Sequence, residues 1–173
     1  PDFSPREGLA AYGRYFDIPR REALRRADEL LDFVGLTDKA GANVRELSGG
    51  MKRRLAFARS LVHKPRVLVL DEPTTGLDPQ ARHLVWEKVR QLRKEGVTLL
   101  LTTHYMEEAA GLCDELIILD AGRIVAQGSP RDLIRSGLGE APVEAQDASG
   151  LSYRRPPNLE DLFLKLTGRE LRA

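Results

Sequence analysis

The chain has 173 residues, 42% hydrophobic and 31% charged, with 27 Lys plus Arg against 26 Asp plus Glu and a formal net charge of +1. That length supports one domain, or one domain with appendages, and a real buried core. The balanced charge gives no broad electrostatic case for nucleic acid or an anionic membrane as partner, and the single Cys113 excludes an intrachain disulfide framework or a cysteine-based zinc site.

One cysteine suits a reducing compartment. No apolar run approaches the roughly 18–20 residues that cross a bilayer, and the longest candidate, "VTLLLTT", is strand-sized. Pro1-Asp2-Phe3-Ser4 has neither the basic start nor the apolar core of a signal peptide, and the absence of an initiator Met leaves room for a natural start upstream.

The first sixty or so residues read as helical. "SPREGLAAYGRYFDI" carries Leu9, Tyr12 and Phe16 at helical spacing. "PRREALRRADELLDFVGL" opens on Pro19 and ends at Gly35, with Leu24, Ala27, Leu31 and Val34 as its apolar stripe. A third helix is expected from Ser48 to about His63. After Pro65, "RVLVLDEP" reads as a strand buried on both faces. "QARHLVWEKVRQLRKEG" reads as an amphipathic helix with Ala81, Leu84, Val85 and Leu92 on one side. "VTLLLTTH" is a second buried strand, "MEEAAGLC" a short helix, and "ELIILDAGRIVAQG" two strands joined around Ala121-Gly122. "SPRDLIRSG" is a short helix capped by Ser129, and residues 137–157 read as a loop or linker. "NLEDLFLKLTG" closes the chain as a helix capped by Asn158, with Leu159, Leu162, Phe163 and Leu166 on one face. The expected fold class is α/β: a parallel sheet with helices on its faces, finished by an antiparallel hairpin. The expected divisions are residues 1–63 (helical), 64–128 (sheet core) and 129–173 (C-terminal helices and linker).

Four short stretches carry chemistry. Leu47-Ser48-Gly49-Gly50 opens a helix, where unpaired N–H groups and the dipole favour a phosphate and glycines allow close approach. Taken singly, it is also an ordinary N-cap, and the run Lys52-Arg53-Arg54 after it an ordinary solvated face. Asp71-Glu72 ends an apolar strand, at the edge where open α/β sheets bind ligands. Adjacent strand residues point to opposite faces, so one carboxylate suits Mg²⁺ and the other an attacking water. "TTGLDP" places Asp78 before a helix, as a turn or cap, and His104 follows the second strand, where it can donate to a phosphate oxygen.

Each stretch is ambiguous alone; their order is specific. "LSGGMKRR" resembles the signature of the ABC ATPases, "VLVLDEP" their Walker B strand, "GLDP" their D-loop and "LLLTTH" their His switch. "REGLAAYGRYFDIPRRE" and "RPPNLEDLFLKLTGREL" resemble the corresponding flanks of the daunorubicin-type and nodulation-factor exporter ATPases. The resemblance implies the C-terminal part of a P-loop NTPase and assigns roles by matched position. Asp71 would coordinate Mg²⁺, Glu72 would be the catalytic base, and His104 would contact the γ-phosphate. Asp78 would sit at a dimer interface. Ser48, Gly49, Gly50 and Met51 would face the ATP of the opposite subunit. It further implies a second ATPase subunit, an integral membrane permease and a place at the cytoplasmic face of the cell membrane. Met51 stands where many relatives carry Gln, and Gly8 where relatives often carry Asn.

No Gly-x-x-x-x-Gly-Lys-Ser/Thr loop, adenine-stacking aromatic or glutamine loop precedes the helical part, and the first glutamine is Gln80. The expectation is an ATPase whose N-terminal third is absent, hydrolytically inactive as this polypeptide, prone to aggregate, and bearing exposed sheet edges and apolar faces. Three other readings stand beside the exporter. Translation-associated ABC proteins usually carry Asn-His where this chain has Thr75-Gly76, and chromosome-maintenance ATPases bring coiled-coil arms that the short helices here lack. The third is a non-catalytic module that only donates Ser48-Gly49-Gly50 to a complete partner.

Overall fold

The computed structural model describes residues 3–146 and 149–168. Pro1-Asp2, two positions of the expected linker (147–148) and positions 169–171 of the C-terminal resemblance lie outside the described residues. Two compact units divide between Thr102 and Thr103, whereas the sequence divisions at 63 and 128 follow motif order.

The first unit opens with three helices. Helix α1 (Pro5–Gly13) starts with a capping box between Ser4 and Glu7 and ends in a short 3-10 turn. Helix α2 (Arg20–Phe33) ends at Gly35, whose φ of +64° suits glycine. Helix α3 (Gly49–Leu61) begins after Ser48. Leu9, Ala23, Ala27, Leu31, Val34, Ala58 and Val62 are buried. Leu24 is only half-buried, so Ala23 takes its expected place on the inner stripe of α2. Small residues let the helices approach closely: a Cβ on Gly13 would lie 3.2 Å from Ala23 Cβ and 3.3 Å from Val62 Cγ1. Arginines satisfy the carbonyls at two helix ends. Arg54 donates to Val34 O at 2.8 Å and Gly35 O at 3.1 Å, and Arg26 donates to Val62 O at 2.9 Å.

Strand β1 (Val67–Asp71) pairs in parallel with β2 (Thr98–Thr102), in a register that sets Asp71 opposite Thr102. Helix α4 (Pro79–Lys94) connects them. Its buried residues are Val85, Trp86, Val89 and Leu92; the expected Ala81 and Leu84 are half-buried. β1 is not buried on both faces. Leu68 and Leu70 are buried, while Val67 and Val69 are 60% and 61% exposed and Leu100 on β2 is 59% exposed. One face of the pair is covered and the other is an open apolar face. An apolar run reveals that a strand can be buried, not which faces its neighbours cover.

The second unit contains α5 (Met106–Leu112), the hairpin β3 (Leu116–Asp120) with β4 (Arg123–Gly128), and α6 (Pro130–Leu138). β3 pairs with β4 in its own two-stranded sheet, so among the described residues the expected antiparallel hairpin is separate from the parallel pair rather than finishing its sheet. Residues read as linker form a second hairpin, β5 (Val143–Gln146) with β6 (Ser152–Arg155). Helix α7 (Leu159–Thr167) follows, with Asn158 and Asp161 as its capping box. Ala109, Ile118, Leu159 and Leu162 form the core, with Leu133, Ile134, Leu138 and Phe163 packed against it. Leu166, expected on the inner face, is 41% exposed.

Candidate nucleotide site

Ser48 takes an extended conformation (φ −61°, ψ 164°), and its hydroxyl accepts from Met51 N at 3.2 Å. The cap predicted from the sequence is therefore formed. It leaves the first N–H groups of α3 pointing off the end of the helix. A Cβ on Gly49 would meet nothing within 4 Å, and one on Gly50 would meet only Leu77 Cδ2 at 3.4 Å. Leu77 is 6% exposed and lies beside Asp78, so the "GLDP" turn is packed against the start of α3. Gly76 makes that turn with φ +74°. Asp78 caps α4, accepting from Ala81 N at 2.9 Å, which leaves its carboxylate at the surface.

The strand end organises two carboxylates differently. Asp71 lies on the open face of β1 and accepts a hydrogen bond from the Thr102 hydroxyl. Glu72, just past the strand, is half-buried with φ +43°, a conformation uncommon for a residue with a Cβ. Its N–H donates to Thr102 O at 3.0 Å and to Thr102 Oγ1 at 3.2 Å. Its carboxylate accepts from Thr75 Oγ1 at 2.9 Å. Its carbonyl accepts from Arg53 on α3 and from Thr75 N at 3.3 Å. Thr102 thus links both acids, and Thr75 and Arg53 fix the second. Sequence reading missed all three; the β1–β2 register reveals Thr102, the tertiary approach of α3 reveals Arg53, and the local turn after Glu72 reveals Thr75.

His104 belongs to the second unit. There its ring lies against Tyr105, with centroids 4.2 Å apart, and Tyr105 N donates to Thr103 Oγ1 at 3.0 Å in the turn that follows β2. Among the described residues no group of three or more His, Cys, Asp or Glu could hold a metal ion. One exposed carboxylate beside a hydroxyl suits Mg²⁺, which keeps most of its waters and takes phosphate oxygens as further ligands.

An N-capped helix start with open glycines, a parallel strand ending in two separately held carboxylates and a turn packed against that helix fit an ATP-binding domain of the ABC class. The comparisons place the chain in that class: it belongs to the ABC transporter ATP-binding family. The sequence profile described as "ABC transporter" matches residues 3–75. The chain is 45% identical to the Nod factor export ATP-binding protein I of Ralstonia nicotianae, over 99% of this chain and 68% of that protein. It is 47% identical to the protein of the same name from Burkholderia thailandensis, over 99% of this chain and 70% of that one. The former alignment runs over 219 positions against the 173 residues here, so the relative carries segments within the matched stretch that this chain lacks. A solved ATP-binding subunit of an ABC transporter superposes with a TM-score of 0.75 at 28% identity, over 96% of this chain. The chain spans 63% of that subunit's length. The chain cbiO1 of Clostridium perfringens, part of the ABC transporter complex cbiONQ, superposes with a TM-score of 0.67 at 29% identity, over 77% of this chain and 53% of its own.

Proposed function

We propose that these residues supply the signature and hydrolytic half of the ATP-hydrolysing subunit of an exporter. The observation that carries this is the strand end: Asp71 is open to solvent and braced by Thr102, while Glu72 is held at its N–H, carbonyl and carboxylate. Asp71 would hold Mg²⁺, chiefly through its waters, and the ion would neutralise charge on the phosphates. Glu72 accepts a proton from, or orients, the attacking water. His104 contacts the γ-phosphate. Ser48, Gly49, Gly50 and Met51 receive the ATP held by a second subunit, with Asp78 beside that interface. Nucleotide-driven closure of the pair then moves a membrane permease. No described helix is long and apolar enough to cross a membrane, which fits a subunit that reaches the inner face of the membrane through that partner. Export rests on the names of the relatives.

The 173 residues contain no Gly-x-x-x-x-Gly-Lys-Ser/Thr loop, so we expect this polypeptide by itself to show no ATP turnover. The test uses a full-length subunit that contains such a loop. Glu72→Gln is expected to abolish steady-state ATPase activity while leaving ATP binding within about twofold of the parent. Hydrolysis at the parent rate would remove Glu72 from the role of base.

A further inference from the structure

Arg53 joins the two halves of the proposed site. It lies five positions after Ser48, roughly 7–8 Å further along the axis of α3. Its guanidinium donates to the carbonyl of Glu72, nineteen residues away in sequence. The Glu72 backbone is in the left-handed region at φ +43°. A residue with a Cβ is strained there and persists only where surrounding contacts determine it. The contacts from the strand side are Thr102 O and Oγ1 on the N–H. Those from the following turn are Thr75 N on the carbonyl and Thr75 Oγ1 on the carboxylate. Arg53 is the contact from the signature helix.

Its neighbour does a different job. Arg54 turns to the end of α2 and donates to Val34 O and Gly35 O. Of the basic run after the signature, Arg54 therefore serves packing of the helices and Arg53 reaches the strand end.

Building on the proposed role of Glu72 as base, we propose that Arg53 is a positioning residue: it sets the backbone of Glu72 and ties it mechanically to the helix whose N-terminus receives the second subunit's ATP. A charged donor on a carbonyl is short and directional, so a shift of α3 on engaging that phosphate is passed to the base of the same subunit. Arg53 itself touches no reacting atom.

The experiment uses a full-length subunit with an intact phosphate loop, in four variants: Arg53→Met, Arg53→Lys, Glu72→Gln, and Arg53→Met combined with Glu72→Gln. Steady-state ATPase rates, melting temperature and ATP-driven dimerisation by size-exclusion chromatography are measured. Arg53→Met is expected to lower kcat about tenfold with KM for ATP changed less than about twofold, and Arg53→Lys to recover much of kcat. In the Glu72→Gln background, Arg53→Met is expected to leave ATP-driven dimerisation unchanged, because Arg53 contacts the backbone at position 72 and not the helix start that receives the second subunit's ATP. An unchanged kcat in Arg53→Met, with Glu72→Gln inactive, overturns the proposal and leaves the base assignment standing. Loss of dimerisation or of melting temperature in parallel with kcat also overturns it, by showing that Arg53 serves the signature end or the fold. Parent-level hydrolysis by Glu72→Gln overturns the base assignment and this proposal together.

Discussion

Gly49→Ala separates what the chain needs from what a ligand needs. Gly49 is the first residue of α3, has no positive φ, and a Cβ there meets nothing within 4 Å. Folding alone therefore has no objection to alanine. Replacing glycine by alanine in a helix gains roughly 0.5–1 kcal/mol, less in the first turn, so about 0.5 kcal/mol is expected. With a urea slope of about 1–3 kcal/mol/M, the midpoint should rise by roughly 0.2–0.5 M. The new methyl would stand where a phosphate is proposed to approach the backbone. A loss of at least about tenfold in ATP-driven association of full-length subunits is expected, equivalent to about 1.4 kcal/mol. Gly8→Ala is the control: Gly8 is also helical with nothing within 4 Å, but lies inside α1, so it should gain stability with no effect on association. Gly49→Ala with raised stability and undisturbed association would mean that no phosphate comes close to this helix start. Lowered stability would mean that the space is not open.

Two further substitutions probe the second unit. A Cβ on Gly137 of α6 would lie 2.3 Å from Leu162 Cδ1, and Leu162 is 2% exposed in the core, so it cannot swing clear; Gly137→Ala should destabilise by about 1–3 kcal/mol in urea unfolding, and parent-like stability would show that this core repacks. Asp161 accepts two bonds from Arg155, at 2.7 and 2.8 Å, and one from Asn158 N at 2.8 Å. The hydrogen bonds from Arg155 are the main cause of a carboxyl pKa held below its usual value. A depressed pKa contributes stability that is fully present above the unfolded value of about 3.9 and is lost as pH falls through the folded value. Asp161→Asn should therefore cost about 1 kcal/mol near neutral pH, and the gap from the parent should close below about pH 4. A gap that persists unchanged into acid would exclude the ion pair as its source.

Local signals survived translation into structure best. Ser48, Asp78, Ser129 and Asn158 were each readable as helix caps and each accepts from the backbone three residues on. The motif order was also readable, because each motif sits at the end of one element. What failed were statements about neighbours. "VLVL" and "TLLLT" are apolar enough for two-sided burial, yet their covered face depends on what packs there. Val143–Gln146 and Ser152–Arg155 lack a strong apolar alternation, so their hairpin depends on pairing between segments that each looked like linker. Arg53, Thr75 and Thr102 lie within the quoted motif stretches, but the sequence assigned none of them a part in holding Glu72. Thr102 and Arg53 reach Glu72 because a parallel register and a helix packing place them there, and neither is legible in local sequence, whereas Thr75 reaches it through the turn three residues on.

The glycines show why this division matters for function. Gly13 and Gly137 are required by neighbours inside the chain, at 3.2 Å and 2.3 Å from a notional Cβ. Gly35 and Gly76 are required by backbone conformation, with φ of +64° and +74°. Gly49 answers to neither demand, and neither does Gly8. Openness alone is therefore not a site, since Gly8 has it inside a helix whose N–H groups are already used. Gly49 differs in standing at a helix start, where a serine has fixed the entry and the dipole's positive end faces outward. Arg53, on the same helix, reaches the backbone of Glu72. A helix whose free end suits a phosphate and whose flank grips the proposed base is arranged to report nucleotide at one place and act at another.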